Sequence, residues 1–151
     1  MKYFKFLSFA ILAVSLALFS CSKKDNYESS EETQLTNFRK SIEKDTAFVY
    51  DADGIILEIT EMGDVEYQPD DVVYLIYTGV AMQKNVVFAK DETLSFVYGD
   101  NNLIKGWKSA LPYIKKNSKG TLVISFSQGY GKERVGVIDP YSTLKFTFEA
   151  L

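Results

Sequence analysis

Leu144, Phe146, Phe148 and Ala150 alternate with Lys145, Thr147 and Glu149, a period of two that puts apolar side chains on one face of a strand and polar ones on the other. The segment from Thr143 to Leu151 therefore predicts a half-buried strand. Gly54 to Thr60, Val72 to Met82, Leu94 to Tyr98 and Thr121 to Ser127 are rich in β-branched and aromatic residues and are separated by turn residues, so they predict four more. Such alternation describes a sheet with one buried side. The spacing changes in two places. Leu35, Phe38 and Ile42 recur at three and four residues, with Arg39, Lys40, Glu43 and Lys44 between or beside them; this predicts a short amphipathic helix whose stripe docks on the domain, a partner-binding helix being the alternative. Trp107, Ala110 and Leu111 share a stripe within Ile104 to Ile114, which predicts one short helix between two strands. A helix packed in the concave face of an antiparallel sheet is an α+β architecture.

The amino terminus has a different pattern. Lys2 and Lys5 precede an apolar stretch from Phe6 to Phe19 that only Ser8 and Ser15 interrupt, the charge and length of an export signal. Spanning a bilayer normally takes about 20 apolar residues, and this run stops short of that at the polar Ser22-Lys23-Lys24-Asp25; an uncleaved anchor is the alternative. The ending Leu18-Phe19-Ser20-Cys21 resembles the lipobox of bacterial lipoproteins. That resemblance implies cleavage after residue 20 and acylation of Cys21, which leaves its sulfur as a thioether, unable to act as a nucleophile or metal ligand. Residues 1–20 are then a signal peptide, and Ser22 to Gln34, polar and without apolar periodicity, reads as a tether. Residues 21–46 comprise the lipidated tether and the first helix, and 47–151 the folded domain.

Composition narrows the chemistry. The 151 residues are 46% hydrophobic and 25% charged, enough for one domain with its own core. With 17 basic against 20 acidic residues and a net charge of −3, no basic block is available to neutralise a run of phosphates, so nucleic acid is excluded as an expected partner. Loss of Lys2 and Lys5 leaves 15 bases against 20 acids, a net charge of −5, and an acidic domain needs its lipid to stay on a membrane. There is no histidine, which removes Ser-His-Asp and Cys-His catalysis and imidazole ligands. The single cysteine allows no internal disulfide. The acidic pairs Asp70-Asp71, Asp51/Asp53 and Glu31-Glu32 fall in turns and tether without the spacing of a calcium loop, and read as solvated acids. Gly129, Gly131 and Gly136 lack the lysine-hydroxyl pair of a phosphate loop.

The remaining candidates are aromatic and aliphatic. Tyr74-Leu75-Ile76-Tyr77-Thr78-Gly79, Val86-Val87-Phe88, Leu103-Ile104-Lys105-Gly106-Trp107, Gln128-Gly129-Tyr130-Gly131 and Gly136-Val137-Ile138-Asp139-Pro140 follow one another, and Ser142 to Glu149 closes the series. In that order, over roughly Gly54 to Leu151, they resemble the successive signatures of FKBP-type peptidyl-prolyl cis/trans isomerases. The resemblance implies an antiparallel sheet wrapped around one short α-helix and an isomerase that needs no cofactor and no metal. It implies Trp107 as the floor of a proline pocket, with Tyr77, Phe88, Leu94, Leu103, Ile104, Val137, Ile138 and Phe146 in or around its walls. Tyr130 would offer its hydroxyl, and Ile104 its backbone N–H, to a substrate carbonyl. With the lipobox, it implies a monomeric folding catalyst for proline-containing segments of exported proteins, lipid-anchored on the periplasmic or surface side of a bacterial cell membrane such as the outer membrane. The alternative is a non-catalytic module that holds such segments in the same pocket. One position departs from the pattern: the family usually has an acid directly after the phenylalanine matched by Phe88, where this chain has Ala89, which implies reduced activity.

Overall fold

The computed structural model describes residues 26–27, 30–42, 46–99 and 102–151; the apolar run and Cys21 lie outside them. Six antiparallel strands form one sheet in the order β1-β2-β5-β6-β3-β4: β1 (Phe48–Ala52), β2 (Ile55–Glu61), β3 (Val72–Ala81), β4 (Val86–Val97), β5 (Lys119–Ile124) and β6 (Leu144–Ala150). A first helix, α1, covers 30–41, and α2 (Lys105–Ala110) lies between β4 and β5. The α+β architecture is as the pattern predicts. The alternation in β6 is also observed, with Leu144, Phe146, Phe148 and Ala150 buried and Thr147 and Glu149 exposed.

Several boundaries differ from the sequence expectation. Strand β1 lacks a clear alternating run, yet its five residues pair with β2 in unbroken register from Phe48 opposite Ile59 to Ala52 opposite Ile55. The fourth strand starts at Val86 instead of Leu94, because its partner β3 carries the pairing through residues that look like a polar turn. Between Tyr77 and Gly79 the register shifts, so that Tyr77 faces Glu92 and Gly79 faces Ala89. The extra residue of this bulge includes Asp91 at φ 50°, held by hydrogen bonds from its N–H to Thr78 Oγ1 and from that hydroxyl to its carboxylate, both 3.2 Å. Strand β5 ends at Ile124, and Phe126–Gln128 form a 3₁₀ turn where the sequence suggested continued strand. The predicted helix over Ile104 to Ile114 is α2 followed by a 3₁₀ turn at Leu111–Tyr113; Pro112 has no N–H to continue the α-helical ladder.

The sheet is not covered on one side only. In β2 every residue from Ile55 to Ile59 is buried: Ile55, Leu57 and Ile59 face the main core with Trp107 and Ala110 of α2, whereas Ile56 and Val123 pack on the other face against Leu35, with Phe38, Ile42 and Met82 around them. The amphipathic stripe thus docks as its spacing predicts. The segment expected as tether is partly structured: Asn26 and Tyr27 are helical, α1 already covers 30–34, and the Tyr27 ring stacks on Tyr141 at 4.7 Å. The acids read as solvated are mostly exposed, and several also have partners. Arg39 forks onto both oxygens of Asp51, at 2.6 and 3.0 Å, Tyr50 donates to Asp53, Asp71 pairs with Lys116, and Glu31 bonds to residues 126 and 143.

Candidate active site

Phe146 is the hub of an aromatic cluster on the face of the sheet that α2 covers. It projects from β6 between β3 and β5, and its ring meets Trp107 edge-on at 5.4 Å, Phe88 edge-on at 5.6 Å and Tyr77 at a tilt at 5.8 Å. These are the offset and T-shaped arrangements that ring quadrupoles favour. Trp107, 3% exposed, also meets Phe148 at 5.5 Å, a contact that sequence reasoning did not assign although Phe148 shares the Phe146 face.

Two glycines allow this packing. A Cβ at Gly106 would lie 2.5 Å from Ile124, so its absence lets α2 sit close on β5 and brings Trp107 beneath Phe146. A Cβ at Gly79 would meet the Phe88 ring at 2.4 Å; the bare backbone of β3 is what the ring lies on. Ile104 starts α2 in an extended conformation, and its carbonyl accepts the N–H groups of Trp107 and Lys108.

Leu94, Leu103, Ile104, Tyr77, Phe88 and Tyr130 are half-buried against this core, and Ile138 and Phe146 lie within it. The chain thus gathers nearly all of the residues singled out from sequence. Val137 is the exception: it is 60% exposed, because the short bridge between Val135 and Ile138 turns Ile138 inward and leaves its neighbour facing solvent.

The half-buried phenols are the polar handles of the site. Burial first, then the nearby Tyr130 hydroxyl and the Glu92 carboxylate, push the Tyr77 hydroxyl above the ordinary tyrosine value. Tyr77 and Tyr130 both pack against the core cluster, and among the described residues neither hydroxyl has a side-chain hydrogen bond. Glu92 lies directly opposite Tyr77 in the ladder and so shares its face; only the bulge at Asp91 reveals this, which is why sequence reasoning missed it. Ala89 is half-buried opposite Gly79. Among the described residues no group of His, Cys, Asp or Glu is arranged to hold a metal ion. The arrangement offers a dry aromatic floor with neutral hydrogen-bond donors at its edge, suited to an apolar ring attached to a carbonyl.

This fold is an antiparallel six-stranded sheet packed on a short helix, with an aromatic cluster between them. Residues 63–151 match the sequence model of the FKBP-type peptidyl-prolyl cis-trans isomerases, and the chain belongs to that family; it is a peptidyl-prolyl cis/trans isomerase. Among relatives, it is 33% identical over 140 residues to peptidyl-prolyl cis-trans isomerase FKBP15-3 of Arabidopsis thaliana, covering 86% of this chain and 94% of that one. It is 26% identical over 165 residues to the macrophage infectivity potentiator of Trypanosoma cruzi, covering 99% and 84%. The crystal structure of FkpA from Escherichia coli superposes with a TM-score of 0.65 at 28% identity, over 97% of this chain and 73% of that one.

Proposed function

We propose that this isomerase is lipid-anchored through Cys21 and turns prolyl bonds in exported proteins, with the proline ring seated on Trp107 and walled by Tyr77, Phe88, Phe146, Leu94, Leu103, Ile104 and Ile138. The observation that carries the site is the buried hub of Phe146, touching Trp107, Phe88 and Tyr77 at once. What supports the anchor is the ending Leu18-Phe19-Ser20-Cys21 after an apolar run.

The chemistry follows from the amide. Resonance gives the C–N bond partial double-bond character and a rotational barrier of about 18–20 kcal/mol. Water bonded to the carbonyl favours the planar, charge-separated form. A ring buried among Trp107, Phe88 and Phe146 leaves that water behind. The Tyr130 hydroxyl and the Ile104 N–H then offer the carbonyl fixed donors matched to the twisted geometry. Only contacts stronger in that geometry speed the step, and each 1.36 kcal/mol or so gained there is worth about tenfold. No proton transfer or covalent intermediate is required.

A protease-free assay with a cis-prolyl peptide series tests the reading. Wild type should accelerate isomerisation, while Trp107→Leu and Tyr130→Phe, both folded, should lose rate; rates unchanged in both variants would make those side chains merely structural.

A further inference from the structure

The two ends of the segment that carries Tyr130 and Ile138 meet at one carboxylate oxygen supplied by α1. Glu31 Oε1 accepts the Phe126 N–H at 2.7 Å and the Thr143 hydroxyl at 3.3 Å. Phe126 follows β5 and Thr143 precedes β6, so this contact closes the loop at its root. From there a chain of backbone bonds runs inward. The Phe126 carbonyl accepts the Gly131 N–H at 2.8 Å, and the Gly131 carbonyl accepts the Tyr141 N–H at 2.8 Å. Gly131, at φ 64°, adjoins Tyr130. The Tyr141 ring packs edge-on against Phe126 at 5.3 Å and under Tyr27 at 4.7 Å. Gln83 adds a brace from the β3–β4 turn, donating to the Tyr141 carbonyl at 2.6 Å and accepting the Thr143 N–H at 3.1 Å.

We propose that Glu31 is a positioning residue for the isomerase site: through Phe126 and Gly131 it sets the Tyr130 hydroxyl, so that the helix next to the amino-terminal segment is a working part of the active site. Glu31 lies outside the 63–151 region that the family's sequence model matches, and it is built into a contact 95 residues away in the chain. Hydrogen bonds to an ionised acceptor are stronger than neutral ones, and linked bonds reinforce one another. A single charged acceptor at the root therefore restrains the whole chain of bonds. The proposal rests on the reading of Tyr130 as a substrate donor.

A double-mutant cycle on the full chain in detergent, at a temperature where all variants are folded, tests it. Glu31→Ala should lower kcat/KM by about fivefold in the wild-type background and by less than twofold in Tyr130→Phe, because the clamp then has no hydroxyl to position. Amide exchange at Gly131 and Tyr141 should speed up, and Glu31→Gln, which keeps an acceptor oxygen, should restore part of both. Equal losses in the two backgrounds, or no loss in wild type, overturn the proposal. Full activity in Tyr130→Phe instead overturns the site assignment; the clamp then stands or falls on exchange, and unchanged protection of Gly131 and Tyr141 in Glu31→Ala refutes it.

Discussion

The ring of Phe88 lies directly on the backbone of Gly79, with the position of a missing Cβ only 2.4 Å from two ring carbons. Strand β3 thus shapes the site by what it lacks, and Phe88 reaches Phe146 because nothing stands between. Gly79→Ala should push Phe88 out of that contact at a cost of about 1–3 kcal/mol, the usual range for overpacking. Denaturant melts should show the loss, and kcat/KM on prolyl peptides should fall more than for Ser95→Ala at an exposed position of β4. Equal activity in the two variants would mean that Phe88 does not touch substrate.

Trp107 is the sole tryptophan, so its emission reports on the site alone. Saturation with a prolyl peptide should shift or quench that emission. Trp107→Leu should cost about 2–4 kcal/mol of stability through the cavity left under Phe146 and weaken peptide binding in the fraction that remains folded. Peptide turnover without any change in Trp107 emission would place the substrate elsewhere.

The phenol of Tyr77 titrates above the ordinary range through burial, then Tyr130, then Glu92. A group whose folded value is raised keeps its stabilising effect below the unfolded value and loses it as pH rises through the folded one. Stability should therefore decline on the alkaline side of about pH 10, the unperturbed tyrosine value. Glu92→Gln should bring the Tyr77 titration down, read by the ring resonances in NMR; an unmoved titration would show that the carboxylate points away. Ala89→Asp, on the same face, should move it up and change kcat/KM severalfold, or about 1 kcal/mol.

Asp51 is held below its usual value by the hydrogen bonds from Arg39, which docks α1 on the edge strand β1. Its lowered folded value means that the contribution is present above the unfolded carboxylate range and is lost as pH falls through the folded value. Wild type should melt higher than Arg39→Ala at pH 7, and the gap should narrow as the solution is taken below about pH 4. Both side chains are more than a third exposed, so added salt should narrow the gap as well. A gap independent of pH and salt would assign the effect to lost packing of the Arg39 stem.

The proposed anchor makes a separate prediction. Cys21→Ala should release the protein from membranes or stop removal of residues 1–20, as judged by fractionation and the mass of the mature species. A Cys21→Ala variant that still loses residues 1–20 and partitions with membranes as wild type does would refute acylation at Cys21.

Local pattern determined much of this protein. The alternation from Leu144 to Ala150 and the stripe of Leu35, Phe38 and Ile42 each record which side of an element is dry, and that is a property of adjacent residues. The order of short segments around Tyr77, Phe88, Trp107 and Tyr130 was equally legible, because each residue type suits one place in one family's site. Tertiary structure decided the rest. Val137 and Ile138 look alike in sequence, and a turn alone sends one outward and the other into the core. Glu92 faces Tyr77 only because the ladder slips twice, by two residues in all, between Val80 and Tyr77. Strand β1 exists through its pairing with β2, and Glu31, by composition a tether acid, closes a loop 95 residues away. Register, bulges and long-range hydrogen bonds depend on which distant backbone arrives alongside, and no window of neighbouring residues carries that information.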